Sequence, residues 1–262
     1  MVQGSHSVEA STLARGGMTA LRSEPPFRVT HVLLDVDGTL VDSGGAAQAA
    51  EAALANHCSA RANRAISPLD VARLREVVSN ESGWRTATVP AVRHEVVRRL
   101  LAEHDRADEA AIQDALNVFT DARTRALTVF PDVCESLAVL RALGLVLIAA
   151  SNGTVDLERF GLAEYFSGTH YAGDIGVAKP DPNFFALALQ RFDIRACSTL
   201  AIGDRVDNDY EPARDAGLHS VLLDRSGAIT DRSITRIATL AQVPGLVETG
   251  CAHRDGPWTF PG

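Results

Sequence analysis

The segment HVLLDVDGTLVDSGG, residues 31–45, places two aspartates one residue apart at the end of an apolar run. Burial disfavours each carboxylate, and two like charges side by side repel each other, so a buried strand that ends in this way is costly. Asp35 and Asp37 are therefore expected to face a cation and a substrate instead of the protein core. Gly38, which follows them, indicates a turn at the end of the strand.

Polar residues also follow other apolar runs of the chain. In open α/β sheets, ligands bind beyond the carboxyl ends of the strands, so we expect such residues to meet at one rim of a sheet. They are Ser151, Asn152 and Gly153 after the run LVLIAA, Asp204, Asp207 and Asp209 after the run TLAIG, and Lys179 in the loop GVAKPDPN before a helix.

These residue types fit the chemistry of phosphoryl transfer. Clustered carboxylates from two strands make an oxygen-rich site that suits Mg²⁺. A lysine, a hydroxyl and neighbouring backbone N–H groups make a cradle for an anion, which stabilises the charge spread over the phosphoryl oxygens. One carboxylate can then act as a nucleophile and another as a general acid and base.

Four short aliphatic runs predict the strands that position these groups, at residues 31–36, 145–150, 199–203 and 219–224. Their continuous apolar character is typical of parallel strands covered on both faces. Residues 131–144 and 181–192 carry apolar residues at helical spacing. Because strand and helix alternate from about residue 130 onward, the sequence predicts an α/β fold with a doubly wound, mostly parallel, Rossmann-like sheet.

Residues 46–125 contain helical patterns and no convincing strand. About eighty residues of helix are far longer than a normal crossover, which needs roughly a dozen or more residues. We therefore expect an inserted all-helical cap subdomain at residues 44–125. The remaining boundaries are then a flexible leader at 1–28, an α/β catalytic core at 29–43 and 126–245, and an irregular C-terminal tail at 246–262.

The composition disfavours several classes of protein. A net charge of −8 argues against a nucleic-acid partner, and no apolar run approaches the roughly 20 residues that cross a bilayer. The leader lacks the apolar region of a secretory signal. The four cysteines are far apart and form no CxxC pair, which favours free thiols over disulfides or a zinc site. We expect a cytoplasmic monomer or homodimer with no nucleic-acid or membrane partner.

Four motifs of the chain resemble, in order, those of the haloacid dehalogenase (HAD) superfamily: DVDGT (35–39), SNG (151–153), KPDP (179–182) and GDRVDND (203–209). Each fragment alone is a weak signal, but the ordered set is specific. The resemblance spans about residues 31–224, and the helical segment falls where that superfamily often places a helical cap. Asp37 is typical of the phosphatase branch, because the similar dehalogenases lack an acid at that position.

The resemblance implies a role for each motif residue. Asp35 would attack phosphorus and become an aspartyl phosphate, while Asp37 would protonate the leaving oxygen and then deprotonate water. The metal site would comprise Asp35, the main-chain carbonyl of Asp37, and Asp204. Asp209, counted with the metal site, would orient Lys179 or metal-bound water; Asp207 is the less favoured candidate for that position. The transferring phosphoryl group would be held by Thr39, Ser151, Asn152, Gly153 and Lys179.

We therefore predict a Mg²⁺-dependent phosphatase that hydrolyses a small phosphorylated metabolite. A phosphomutase that uses the same intermediate, and a non-catalytic binding protein on the same fold, remain the alternatives. The polar and aromatic residues of the helical segment could contact the leaving group, but a solvated basic face is the favoured interpretation for them. These residues are Trp84, Arg85, Arg93, His94 and Arg98.

Overall fold

The computed structural model describes residues 26–62, 64–84, 87–102 and 108–249. Its strands are, in chain order, β1 (Phe27–Val29), β2 (His31–Leu34), β3 (Val41–Asp42), β4 (Thr128–Val129), β5 (Val146–Ser151), β6 (Gly168–Tyr171), β7 (Thr199–Gly203), β8 (His219–Leu223), β9 (Arg236–Ile237) and β10 (Val247–Thr249). Its α-helices are α1 (Ala46–Ala62), α2 (Pro68–Asn80), α3 (Val89–Ala102), α4 (Glu109–Ala126), α5 (Val133–Ala142), α6 (Ala172–Ile175), α7 (Pro182–Arg191) and α8 (Glu211–Asp215). None of the helices in these ranges combines the length and the apolar character that a bilayer span requires.

Within the described residues, the central sheet has six strands in the order β6-β5-β2-β7-β8-β9, and every neighbouring pair is parallel. The chain enters at β2, in the middle of the sheet. It then builds one side through β5 and β6 and the other side through β7, β8 and β9. This order confirms the predicted doubly wound α/β fold.

Both faces of the sheet are covered, which explains why β2 is a continuous apolar run. Val32 and Leu34 join one hydrophobic cluster together with Leu137 of α5. Leu33, which points to the opposite face, joins a second cluster that contains Phe184 of α7. A polar residue at any of these strand positions would be buried without water.

The register of the strands brings the predicted site residues to one edge. Leu34 is the partner of Ala149 on β5 and of Ile202 on β7. The residues that follow these three positions therefore emerge side by side at the carboxyl edge of the sheet. Asp35 extends this alignment, because its backbone N–H donates to the carbonyl oxygen of Ile202 at 2.8 Å.

Helices α1 to α4, residues 46–126, form a unit that we call the helical insertion. They pack around a hydrophobic cluster of their own, which includes Leu54, Val97 and Ile112. Ser67 starts α2 with a reciprocal capping box to Asp70, an arrangement that satisfies free N–H groups of the first turn. Strands β3 and β4 pair antiparallel where the chain leaves and re-enters the α/β core.

The structure corrects the sequence prediction at both ends and at one edge of the sheet. Phe27 and Arg28, assigned to the leader, and residues 247–249, assigned to an irregular tail, form the parallel pair β1 and β10. The apolar pattern also does not predict β6, because this edge strand reads GTHY and only His170 in it is buried. The rest of the predicted leader and tail, residues 1–25 and 250–262, lies outside the described residues.

Candidate active site

Asp35 lies at the carboxyl edge of the sheet, immediately after β2, and only 7% of its surface is exposed. Its Oδ1 accepts a hydrogen bond from Lys179 Nζ at 2.7 Å. Within the described residues, this is the only hydrogen bond of the Asp35 side chain. Asp35 also lines a cavity above the sheet edge, and its second oxygen, Oδ2, is not engaged by any described residue.

Lys179 reaches this carboxylate from the loop between α6 and α7. Its Nζ donates to Asp35 Oδ1 at 2.7 Å, to Asp209 Oδ1 at 2.5 Å and to the Ala150 carbonyl at 3.1 Å. These bonds use all three donors of the ammonium group. The Asn152 side chain fixes the backbone of Lys179, since it accepts from the Lys179 N–H and donates to the Lys179 carbonyl, each at 2.8 Å.

Lys179 is the single lysine among the 25 lysines and arginines of the 262-residue chain. An ammonium group can meet three oxygens from three directions, whereas the planar guanidinium of arginine presents its donors as a fork in one plane. The buried position between two carboxylates and a carbonyl therefore suits lysine and not arginine. The isolated lysine is a feature of the sequence that singles out this position without any motif.

Asp37, the third residue after the end of β2, lines the same cavity. Its Oδ1 forms an ion pair with Arg123 of α4, so a residue of the helical insertion contacts the sheet edge directly. On its other side, Oδ2 lies so close to Gly153 that a Cβ built on that glycine would be 2.5 Å away. Gly153 also donates its backbone N–H to Ser151 Oγ at 2.9 Å, which closes the turn after β5.

Substitution of Gly153 by alanine is expected to lower kcat by about 100-fold, because the new methyl group would displace the carboxylate of Asp37, the residue that the motif resemblance implies as the acid and base. The matched control is Gly173→Ala, since a Cβ there would meet only ordinary contacts, at 3.7 and 3.8 Å. Steady-state rates of phosphate release check both variants. Equal rates for Gly153→Ala and the unchanged protein would contradict the role of this close approach.

Two further aspartates come from the segment after β7. Asp204 lines the cavity, and Asp209 is buried beneath it with both oxygens engaged, at 2.5 Å from Lys179 Nζ and 3.2 Å from the backbone N of Arg205. Asp207 is exposed and pairs with the Arg205 side chain at 2.8 Å. The structure thus brings Asp209, and not Asp207, to Lys179.

The charges of the cluster do not balance, because several carboxylates surround one lysine. Burial raises the pKa of Asp35 from 3.8 to about 8, and Asp209 and Asp204 add to this effect while Lys179 opposes it. Burial, together with the charge of Asp209, raises the pKa of Asp204 to about 6. Burial alone would lower the pKa of Lys179, but its two carboxylate partners raise it, so the ammonium group stays charged.

The carboxylates fit a divalent cation in number, type and spacing. Asp35, Asp204 and Asp209 each offer one oxygen, and these oxygens lie within 4.8 Å of one another. Carboxylate oxygens are the ligands that Mg²⁺ prefers in proteins. A bound cation would also offset the repulsion that raises the pKa values of Asp35 and Asp204.

Three of the predicted phosphoryl-binding residues offer no free polar side chain to the cavity. Lys179 is absent from the cavity wall, and its ammonium group has all three donors engaged by Asp35, Asp209 and the Ala150 carbonyl. Thr39 is fully buried, it is absent from the cavity wall, and its Oγ1 has no hydrogen-bond partner among the described residues. Asn152 reaches the wall, but its amide is occupied by the Lys179 backbone. Ser151 and Gly153 do line the cavity, next to Asp35 and Asp37.

The cavity has a volume of about 750 Å³ and lies between the sheet edge and the helical insertion. All four helices of the insertion and the segment between α2 and α3 contribute residues to its wall. These include residues that were not predicted to belong to the site: Glu51, Trp84, Arg93, Phe119 and Arg123. Charged and aromatic residues on an amphipathic helix give the same sequence pattern whether they face water or a cavity. The only available signal in the sequence was therefore charge at helical spacing, which does not distinguish the two.

For Trp84 and Arg93, this placement corrects the interpretation of a solvated face. His94 and Arg98 lie elsewhere, in ion pairs with Glu109 at 3.4 Å and Glu95 at 2.7 Å. Arg85 lies outside the described residues.

Comparison with known proteins points to one family. The profile of the haloacid dehalogenase-like hydrolases matches residues 29–217. A phosphoserine phosphatase of Thermus thermophilus is 36% identical over 51% of this chain, but the match spans only 55% of that protein. A glyceraldehyde 3-phosphate phosphatase of Methanopyrus kandleri is 30% identical over 75% of this chain and 84% of its own length.

A solved structure shows the same fold. The crystal structure of a 2-haloacid dehalogenase from Pseudomonas syringae superposes with a TM-score of 0.73 at 28% identity and covers 83% of this chain and 97% of its own. The family profile spans most of the chain, from β1 to the segment before β8. The chain therefore belongs to the haloacid dehalogenase-like hydrolase family, which confirms the prediction from its four motifs.

Proposed function

We propose that the protein is a cytoplasmic, Mg²⁺-dependent phosphatase that hydrolyses a small phosphorylated metabolite through an aspartyl-phosphate intermediate on Asp35. The observation that carries this proposal is how the two oxygens of the Asp35 carboxylate are bonded. One of its oxygens is held by Lys179 at 2.7 Å, the other accepts no hydrogen bond from the residues that the structure describes, and Asp35 and Asp37 both line the cavity.

In the first step, Asp35 Oδ2 would attack the phosphorus of the substrate, and the bond from phosphorus to the leaving oxygen would break. Asp37, in its carboxylic acid form, would donate its proton to that oxygen, so that a neutral alcohol leaves. Lys179 would keep the attacking carboxylate oriented and would offset negative charge beside it. Ser151 and the backbone around Gly153 would hold the phosphoryl oxygens.

In the second step, a water molecule would attack the phosphorus of the aspartyl phosphate. Asp37, now a carboxylate, would accept the proton of that water, and the bond between phosphorus and the Asp35 oxygen would break. Inorganic phosphate and the original Asp35 carboxylate would result, with Asp37 protonated again for the next cycle. The same residue thus serves as acid and then as base.

Asp35, Asp204 and the main-chain carbonyl of Asp37 are the groups that would hold Mg²⁺. When bound, the cation supplies positive charge that stabilises the negative phosphoryl oxygens. Asp209 fits a positioning role better than direct ligation, because Lys179 Nζ and the Arg205 N–H already engage its two oxygens. In this arrangement Asp209 fixes Lys179, and Lys179 fixes Asp35.

The helical insertion would act as a cap over the site. Arg123 of α4 contacts Asp37, so the two parts of the chain already meet at the acid–base residue. Closure of such a unit excludes bulk water and allows its side chains to choose the leaving group.

Three further observations favour this proposal. Both curated relatives named above are phosphatases, and Asp37 supplies the acid that the proton transfers require. The dehalogenase of Pseudomonas syringae shares the fold, but the motif resemblance implies that dehalogenases lack the acid that this chain carries at position 37. Cys134 and Cys197 are exposed free thiols, as is common for proteins in a reducing compartment.

Phosphate release tests the proposal directly. The full chain is assayed with an aryl phosphate and a panel of phosphorylated metabolites, with Mg²⁺ or with a chelator. We expect hydrolysis with Mg²⁺, a rate lower by roughly 100-fold or more with the chelator, and radiolabelled phosphate on Asp35 after an acid quench.

Each alternative has its own outcome. If the product were an isomerised sugar phosphate and no phosphate were released, the protein would be a phosphomutase and not a phosphatase. If the unchanged protein and Asp35→Asn were equally inert towards every substrate, the proposal would be rejected in favour of a binding protein.

A further inference from the structure

The arginines on the cavity wall differ in whether a carboxylate forms an ion pair with their positive charge. Arg75 pairs with Glu51 at 3.3 Å, Arg123 pairs with Asp37, and Arg205 pairs with Asp207 at 2.8 Å. Among the residues that the structure describes, Arg93 forms no ion pair. Arg73 also lacks one, but its side chain is exposed, where water solvates the charge.

Arg93 stands out on its own helix as well. The other described arginines of α3 are neutralised, since Arg98 pairs with Glu95 at 2.7 Å and Arg99 pairs with Glu81 at 2.6 Å. Arg93 is only partly exposed and turns to the cavity instead. Burial, together with the nearby charge of Arg123, lowers its pKa to about 10, while the charge of Asp37 opposes this effect only in part. An anion bound beside Arg93 would relieve this unfavourable environment.

The guanidinium group of Arg93 is also oriented by an aromatic ring. Its Cζ lies 4.5 Å from the centre of the Phe119 ring, and Phe119 lines the same cavity. A stacked guanidinium uses its flat face for the ring and keeps the N–H groups at its edge for hydrogen bonds. Those N–H groups match the two oxygens of a carboxylate or a phosphate.

We propose that Arg93 binds a second anionic group on the leaving part of the substrate, a carboxylate or a second phosphate. The inference rests on the proposed phosphatase function and narrows its substrate class. The cavity of about 750 Å³ has room for a small phosphorylated acid or bisphosphate. The reacting phosphoryl group would lie at Asp35, and the second anion would lie towards α3.

Matched substrates test the inference on the full chain with Mg²⁺. Phosphoglycolate and 3-phosphoglycerate supply a carboxylate, and ethane-1,2-diyl bisphosphate supplies a second phosphate. Their counterparts without the second anion are 2-hydroxyethyl phosphate and glycerol 1-phosphate. We expect kcat/KM to be higher by about 10- to 100-fold for at least one anionic member, as expected for a charged hydrogen-bonded pair. The carboxylate and bisphosphate arms identify which anion is preferred.

Arg93→Met should reduce that preference at least about tenfold, and Arg93→Lys should retain part of it because the charge is kept. Arg191→Met is the matched control, since Arg191 also stacks on a ring, with its Cζ 5.5 Å from the centre of Phe192, but lies on α7 and not on the cavity wall. It should leave the preference unchanged. A preference that is absent, or that survives in Arg93→Met, would overturn the inference.

A binding measurement without turnover separates this inference from the proposed function. Phosphonoacetate, which carries a carboxylate, should raise the Tm of the unchanged protein more than methylphosphonate does, and Arg93→Met should lose the difference. If the aryl phosphate is hydrolysed but phosphonoacetate has no advantage, the second-anion site is refuted while the phosphatase function stands. If no phosphate ester is hydrolysed but the advantage depends on Arg93, the anion site stands and the phosphatase function fails.

Discussion

Replacement of Asp35 by asparagine is expected to lower the rate of phosphate release by about 10⁴-fold or more, because it removes the proposed covalent nucleophile. The amide keeps the shape of the carboxylate but cannot displace an alkoxide from phosphorus. Phosphate release with Mg²⁺ measures the loss. Asp207→Asn is the matched control, because Asp207 belongs to the same motif set but is exposed and pairs with Arg205. Its activity should remain close to that of the unchanged protein.

Asp35→Asn should also change how the free energy of unfolding depends on pH. Asp35 has a pKa of about 8 in the folded protein, well above its ordinary 3.8, so the folded chain retains a proton that the unfolded chain releases. Between these two values, rising pH therefore lowers the free energy of unfolding. One such proton contributes up to about 1.4 kcal/mol per pH unit. Asp35→Asn removes this contribution.

Urea unfolding in metal-free buffer between about pH 5 and pH 7.5 measures the effect. The unchanged protein should lose stability relative to Asp35→Asn across this window. Identical pH slopes for the two proteins would show that Asp35 is ionised in the folded state throughout, contrary to the effect of its burial.

Lys179→Met is expected to lower the free energy of unfolding by about 3–5 kcal/mol at neutral pH, because it removes the cation from a buried ion cluster. The side chains concerned are almost free of solvent, with exposed fractions of 1% for Lys179, 8% for Asp35 and 6% for Asp209. Without the ammonium group, Asp209 would be buried with no positive charge beside it, and the protonated Asp35 would lose its hydrogen-bond donor. Urea unfolding of the variant and the unchanged protein gives the difference.

A combined variant shows whether this loss is electrostatic. Adding Asp35→Asn and Asp209→Asn to Lys179→Met removes the uncompensated negative charge and should restore most of the lost stability. A variant that stays equally unstable would assign the loss to the packing of the lysine stem. Lys179→Arg keeps the charge but cannot reproduce three hydrogen bonds in three directions, so it should rescue stability only in part.

Most of the α/β core was predictable because its signals are local. The apolar run His31–Leu34 is a strand covered on both faces, and Asp35 lies at its carboxyl end as the pattern requires. The order of the four motifs, together with parallel topology, was sufficient to bring Asp37, Lys179 and Asp204 to one edge. Strand β6 escaped prediction because an edge strand does not need a continuous apolar run.

The details of the site depended on contacts between distant residues. The motif that contains Thr39 predicts a phosphoryl ligand, but the chain folds Thr39 into the core below the site. Asn152 is engaged in fixing the Lys179 loop, 27 residues away along the chain. Both aspartates lie on the helical turn Val206–Tyr210, which directs Asp209 inward to Lys179 and leaves Asp207 exposed to solvent.

By itself, the sequence determined the fold class, the family and the set of acids and the lysine at the sheet edge, since strand periodicity and motif order depend on neighbouring residues and on one topology. Only the tertiary structure decided that Arg93 and Arg123 of the helical insertion face that edge and that Arg93 has no ion pair among the described residues. The physical reason is that a helix presents charge in the same sequence pattern to water and to a cavity. Which of the two it meets is set by how the insertion packs against the core.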